Sequence, residues 1–429
     1  MDTPFPERNK RIVEFVRRTV ALRQTPNLLR GPTIGVEQEL FLAGVNGAFA
    51  ELRQSQEFFK TLATFPGWNI FSKRASEKFG TLLTRVSYEN KNGTFSAVKY
   101  EFPPKLIEFA LGHYADLNDL AADLEQVWTS IEKAAQRTGL ELRCLSSVPA
   151  EPVSIDVQTA IDPQLPALHE SRRKHYSDRG ELVNEELASF PSYVAATQVH
   201  AGGFAWWENS AFINKLYSIE PYLIRQSHSL NSKSDSDILR SLNDRWTPYL
   251  TVFRGMRLLG FPDLQEWTLS AWINALTETK LVGSEHDSLG GKKIDELESV
   301  PTDDTFVDVF KRLRDLQIIK PKLTGTLEFR ADPAVRNPDD IMAIAAMRLG
   351  QCLLAQSMPK PFDSFRASRK LWYSQISGES ATAQKSSDVL SQINSLLKGR
   401  KLGEERFLSP LIRKDVPNLS NKKLCRGGA

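Results

Sequence analysis

Only Cys144, Cys352 and Cys425 supply thiols to this 429-residue chain. They lie far apart and are odd in number, which excludes a CxxC metal motif and a disulfide framework and suits a reducing compartment. Long apolar runs are missing too. No stretch of about 18 uncharged apolar residues occurs, so no membrane-spanning helix is expected. The opening Met1-Asp2-Thr3-Pro4 lacks the apolar segment of a signal peptide, and a cytoplasmic protein is the expectation. Nor does one sign of charge dominate: 55 Lys and Arg against 52 Asp and Glu leave a net charge of +3. The basic runs Arg172-Arg173-Lys174 and Lys422-Lys423 are short and read as solvated surface. No basic stripe interleaved with aromatics is present, so no nucleic-acid partner is expected. Nucleotide-loop signatures fail as well. There is no GxGxxG, and around Gly290-Gly291-Lys292 the P-loop spacing breaks, with His286 where the first glycine belongs and Lys293 after the lysine. HExxH is also absent.

What is present is ordinary globular composition, 41% hydrophobic and 25% charged, enough for a substantial core. The apolar spacing predicts helices over 7–24, from Glu57 to Leu62, and most clearly over 116–138, where Leu117, Leu120, Leu124, Val127, Ile131 and Ala135 share a face. Strands are expected over 33–42, 82–88, 95–100, 140–148, 193–204 and 323–331, with Asn90-Lys91-Asn92-Gly93 as a hairpin turn. Further helices follow from Ser210 to Ser227, where Pro221 should kink the chain, and over 246–259, 264–279, 306–316, 337–356 and 386–398. Residues 150–190 show no clean periodicity and read as an excursion. Residues 283–305 read as a polar surface loop.

The stretch Gly35-Val36-Glu37-Gln38-Glu39 organises the rest. On a strand, residues two apart point the same way, so Glu37 and Glu39 project side by side. Carboxylates about 4 Å apart repel by about 4 kcal/mol at an effective dielectric near 20. Solvent, an arginine, a shared proton or a divalent cation must offset that repulsion. Glu101 and Glu108 bracket Pro103-Pro104, and the prolines place them on either side of a bend or bulge rather than in one ladder. His200 and Glu328 also fall on expected strands, with Arg330 two residues from Glu328 on the same face. Glutamates with a single histidine favour hard cations such as Mg²⁺ or Mn²⁺ over structural zinc. Arg330 could meet a transferring phosphate while Glu328 holds a metal.

These segments together resemble the glutamate–cysteine ligase superfamily, which includes the bacterial carboxylate–amine ligases. Gly35-Val36-Glu37-Gln38-Glu39 is similar to its opening G-[IV]-E-x-E, and Glu101 to Glu108 to its second acidic segment. Gln198-Val199-His200 resembles its V-H strand. The span from Asn214 through Pro221 to Asn231-Ser232 resembles its N…P…NS helix and loop, and Thr326-Leu327-Glu328-Phe329-Arg330 its E-x-R strand. Order and spacing agree over 33–357. The resemblance implies an α+β, glutamine-synthetase-like fold: a curved, mainly antiparallel sheet forming a funnel, with helices packed outside. It implies an N-terminal helix in 1–32, a catalytic domain in 33–357 and a helical extension and tail in 358–429. It implies an ATP-dependent ligase that phosphorylates a carboxylate (glutamate's γ-carboxylate in the type members) and joins it to an amine such as cysteine. By position, Glu39, Glu101 and Glu108 would hold one Mg²⁺, and Glu37, His200 and Glu328 another. Arg330 would stabilise the moving phosphate, with Arg330, Asn231 and Ser232 at the nucleotide. Small amino acids or amines would be the partners; an oligomeric state is not implied.

Each residue also has an ordinary structural reading: a solvated strand face for Glu37 and Glu39, an edge-strand residue for Glu101, a core histidine for His200. Glu328 with Arg330 can equally be a structural ion pair, and Asn231-Ser232 a plain turn. Trp206-Trp207 reads as packing. A metal-dependent phosphohydrolase, or a binding protein that lost turnover on the same fold, stays open beside the ligase.

Overall fold

The computed structural model describes residues 7–28, 31–90, 95–149, 154–282, 292–293, 309–310, 312–313, 315–379 and 382–413. Its centre is β1 (Thr33–Gly44), a 12-residue strand buried along nearly its whole length. Helix α1 (Glu7–Leu28) precedes it and runs beyond the expected stop near Pro26. After β1 come α2 (Leu52–Leu62), β2 (Trp68–Ser76), β3 (Gly80–Glu89), β4 (Phe95–Phe102), β5 (Leu106–Tyr114), α3 (Leu117–Arg137) and the short β6 (Leu140–Arg143). The 150–190 excursion folds, within its described part, into α4 (Ile155–Ile161), α5 (Gln164–Ser177) and α6 (Glu185–Ala188). Then follow β7 (Thr197–Gly202), α7 (Ser210–Ser229), α8 (Asp235–Val252), β8 (Leu259–Gly260) and α9 (Leu269–Thr277). Pro221 lies inside α7 without ending it. The polar loop expected at 283–305 falls outside the described residues except for 292–293. Then come β9 (Leu316–Gln317), β10 (Ile319–Pro321), β11 (Leu327–Phe329), α10 (Pro338–Ser357), α11 (Phe365–Ser377) and α12 (Ala383–Gly399), followed by a 3-10 turn (Glu404–Leu408) and the short α13 (Ser409–Arg413). Periodicity in the last segment predicts only α12. Helices α11 and α13 are not foreseen.

Nine strands form one sheet in the order β10-β11-β7-β1-β5-β4-β3-β2, with β6 taking the place of β7 beside the end of β1. Every pairing in it is antiparallel. Strands β8 and β9 pair separately, in parallel. The fold is therefore α+β, a large antiparallel sheet with helices packed around it. Val36, Val199, Phe109, Val98 and Val86 line one face of the sheet and are buried. Helix α3 and α10 pack on the sheet there, as the 3-4 apolar spacing of α3 requires. Asp116 caps α3 by accepting from the Asn118 N–H at 2.8 Å. Trp206, Trp267 and Trp272 make a buried aromatic cluster, and Trp206 Nε1 donates to the Gly325 carbonyl at 3.0 Å. That bond holds the turn between β10 and β11, where Gly325 takes a φ of 87° that an L residue resists.

Candidate functional site

Period-two alternation sends the opposite set of side chains to the other face. In the ladder, Glu39 pairs with Glu108, and Glu108 with Lys99 on its far side. Gly35 pairs with His200, and His200 with Glu328. Paired residues share a face, so one surface carries all these groups. Glu37 and Glu39 are two positions apart, about 6.6 Å along the strand, and each meets a different set of neighbours. Glu37 joins His200 and Glu328 from β7 and β11. Glu39 joins Glu101 and Glu108 from β4 and β5. Within each trio, one donor atom per residue lies within 4.8 Å of the others. Glu39, Glu108, Glu328 and His200 are buried, and Glu37 and Glu101 partly so.

Glu101 and Glu108 do share a hairpin ladder, contrary to the expectation that the prolines would separate them. The interruption is confined to a register shift between Tyr100 and Phe102, and Glu101 sits at that bulge. Glu101 is the extra, unpaired residue of that bulge, and standing two after Lys99 it keeps to the face of Glu108.

The two trios differ electrostatically. Glu39 accepts from the Ala196 N–H at 2.7 Å and from Gln198 Nε2 at 2.9 Å. Burial nevertheless pushes its carboxyl up to about 8, with Glu101 adding to the rise and Arg245 and Arg330 opposing it. Burial and the charges of Glu37 and Glu101 hold Glu108 well above the carboxylate range, although Lys99 Nζ stands 3.1 Å from it. In the other trio, burial of Glu328 is outweighed by Arg330, Lys322 and Lys320, so its carboxyl lies far below the usual range. Lys322 Nζ donates to Glu328 at 2.7 Å, and Arg330 Nε is 3.4 Å from its other oxygen. Burial likewise raises Glu37, but the neighbouring His200 brings it below its ordinary value. His200 Nε2 is 3.3 Å from Glu37.

Arg330 is fixed by donating Nη1 to the Asp315 carbonyl at 3.2 Å, and its own carbonyl accepts from Arg245 Nη2 at 3.1 Å. Gly35 has a steric reason. A Cβ there would lie 3.3 Å from both the His113 ring and the Gly112 carbonyl. Burial, then His200, pushes His113 down to about 4, keeping that ring neutral beside the first trio. Asn231 and Ser232 belong to neither trio. They line a cleft of about 260 Å³ with Ser146, Ser147, Arg240 and Arg336. There Asn231 Nδ2 donates to the Ala334 carbonyl and Ser232 Oγ to the His228 carbonyl at 2.8 Å.

Sequence reasoning missed Lys99, Lys322, Arg245 and His113. Lys99 was within reach, because it stands two before Glu101 on an expected strand. Lys320 and Lys322 show the same period on the arm of the hairpin opposite Glu328. Arg245 comes from a distant helix. His113 lies beyond a register shift between Ile34 and Val36 that reverses the parity of its strand.

Both trios fit hard divalent cations. Oxygen donors dominate, with three side chains converging in each trio, and among the described residues Lys99 is the cation that ion-pairs with Glu101 and Glu108. No protein-family model matches the chain, and no curated protein matches it. Among solved structures, one similar to it is a bifunctional glutathione synthetase from Pasteurella multocida. It has 13% identity over 92% of this chain and 48% of that one, with a TM-score of 0.39. Another is a glutamate–cysteine ligase from Francisella tularensis in complex with AMP, with 9% identity over 90% of this chain and 82% of that one and a TM-score of 0.40. The chain thus spans about half the length of the Pasteurella protein.

Proposed function

We propose that this protein is an ATP-dependent carboxylate–amine ligase, with glutamate's γ-carboxylate as the acid and cysteine or another amino acid or amine as acceptor. The observation that carries the reading is the convergence of two three-donor clusters on one sheet face with Arg330 beside them. Phosphoryl transfer needs positioning and charge neutralisation rather than covalent help from the protein.

In this reading Glu39, Glu101 and Glu108 hold one Mg²⁺ or Mn²⁺, and Glu37, His200 and Glu328 the other. When bound, such ions neutralise phosphate charge and align the transferring group. A substrate carboxylate oxygen bonds to the γ-phosphorus of ATP as the bond to ADP breaks, giving an acyl phosphate. The amine nitrogen then attacks the acyl carbon, phosphate leaves, and the amine loses a proton to solvent. Arg330, held by Asp315 and Glu328, offers its guanidinium to the phosphoryl oxygens in flight. Glu328 stays ionised throughout because Arg330 and Lys322 hold it so. Lys99 and Lys322 are internal counter-ions that lower the repulsion within each trio before a cation arrives. Asn231 and Ser232 remain candidates for nucleotide contact from the neighbouring cleft.

Hydroxylamine tests the reading. With protein, ATP, Mg²⁺ and a panel of amino acids and other carboxylates, it should intercept the acyl phosphate as a hydroxamate detectable by colour or mass. Glu328→Gln should form none. A phosphohydrolase would release ADP and phosphate without hydroxamate, and a binding protein would release neither. Absence of hydroxamate across the panel, with ATP bound to folded protein, would sink the ligase.

A further inference from the structure

The row of paired residues that carries Glu39 and Glu108 does not stop at Lys99. It continues onto β3, where Arg85 pairs with Lys99 and so faces the same side of the sheet. Strands are about 4.8 Å apart, which puts the Arg85 backbone about 10 Å from that of Glu108. The row beside it runs from Glu37 through Ala110 and Ala97 to Ser87, all small beyond the glutamate. Two long cationic side chains therefore border a strip of small ones that leads away from the carboxylate trios.

The two cations are used differently. Lys99 is spent on carboxylates of this chain, at 3.1 Å from Glu108 and 3.8 Å from Glu101. Among the described residues, no carboxylate pairs with Arg85. Its guanidinium carbon stacks 4.4 Å from the centre of the Phe71 ring, and its Nε is shut off from solvent without a hydrogen-bond partner. A half-buried guanidinium fixed in plane by an aromatic ring, with donors unused, is preorganised for a planar anion. A buried donor left unbonded is costly unless a ligand completes it.

We infer that Arg85 is a substrate-recognition residue: it receives a second carboxylate of the acid substrate, whose reacting carboxylate lies at the trios. The acid is then of the dicarboxylate class, an amino diacid included, and not a simple monoacid. This rests on the ligase reading for which end reacts, but recognition itself is measurable without turnover.

The test is calorimetric binding, in the presence of Mg²⁺ and ADP, of two pairs of probes: glutarate against butyrate, and glutamate against 4-aminobutyrate. Each pair differs in one carboxylate. The wild-type protein should prefer the diacid by roughly ten- to a hundredfold, the worth of a charge-assisted hydrogen-bonded pair. Arg85→Gln should collapse that ratio towards one, while Arg85→Lys, which keeps charge but not the planar fork, should retain part of it. Should Arg85→Gln fail to fold, Arg85→Lys alone decides, because an undiminished ratio there excludes recognition by the planar fork. A wild-type protein without diacid preference, or a preference that survives Arg85→Gln, overturns the assignment. The same samples assayed with ATP and hydroxylamine separate the two readings. An Arg85-dependent preference without hydroxamate removes the ligase and keeps the recognition residue. Hydroxamate with an Arg85-independent preference does the reverse.

Discussion

Arg348 and Glu39 stand at two ionic centres, each built of carboxylates around a cation, and the two centres behave in opposite ways. At the first, Arg348 from α10 donates Nε to Asp332 at 2.8 Å and Nη2 to the same carboxylate at 2.6 Å. It also donates to both oxygens of Glu220 on α7 and, at 2.7 Å, to Gln351. Gln351 returns a bond of 3.0 Å to Glu220 and one of 3.2 Å to the Leu216 carbonyl. All three charged side chains are wholly buried, and the guanidinium donors are taken up by these bonds. At the second, Glu39, Glu101 and Glu108 crowd together with a single partly exposed lysine. One centre is electrostatically complete and joins α7 and α10 to the chain just after Glu328 and Arg330. The other is left short of positive charge. Complete centres hold a fold together, whereas incomplete ones mark where a ligand is expected.

The sharpest way to break that comparison is Arg348→Leu. It strands two buried carboxylates, and removal of one partner of a buried pair costs about 3–5 kcal/mol. Denaturant unfolding of the ion-free protein should show that loss; a cost below about 1 kcal/mol would mean the centre is not what ties these helices to β11. Next in size is Glu328→Gln. Its turnover should fall by about a thousandfold, about 4 kcal/mol of barrier, measured as ADP release with the fold checked by circular dichroism. Because Glu328 is held ionised by Arg330 and Lys322, this variant should also be less stable than wild type without metal, the opposite of Glu39→Gln. Near-normal turnover would remove Glu328 from the site.

Arg330→Lys should lower kcat by about ten- to a hundredfold and change the ATP KM little, since the planar fork matters most as phosphate charge moves. A raised KM with kcat intact would make Arg330 a ground-state binding residue instead. The smallest effect concerns pH. The folded Glu39 carboxyl titrates near 8, against an ordinary value of 4.5. Between those values the folded protein keeps a proton that the unfolded chain has lost. Its stabilising contribution is full below 4.5 and disappears as pH rises to about 8. In chelator the melting temperature should therefore decline across that window. Mg²⁺ should reduce the decline, because a cation that binds only the folded form stabilises it most where the proton no longer competes. Glu39→Gln should flatten the profile without metal. A wild-type profile already flat in chelator would show that Glu39 is not destabilised by its neighbours.

Most elements, and the acidic residues that meet on the sheet, can be read from the chain alone. The 3-4 spacing from Leu117 to Ala135 specifies α3, and β-branched and aromatic residues around Glu37 and Glu39 specify β1; β3 and β4 pair antiparallel, while the turn expected between them at 91–93 lies outside the described residues. Such patterns are local, fixed by backbone period and side-chain shape, and can be read without knowing what lies opposite. Helix α11 escaped because its buried face mixes the polar Ser368 and Gln375 with Phe365, Trp372 and Ile376, and the helices within 154–190 because they bury few apolar residues. Pairing is a property of the folded chain. Glu37 and Glu39 look equivalent along the chain, yet register sends one to His200 and Glu328 and the other to Glu101 and Glu108. The β4–β5 ladder keeps Glu101 beside Glu108 in spite of the prolines, and the register shift at Gly35 brings His113 to the site by reversing parity. Lys99, Lys322 and Arg245 set the charge balance from separate elements. The Coulomb interactions that raise Glu39 and lower Glu328 depend on distances across strands, and no one-dimensional pattern contains those distances.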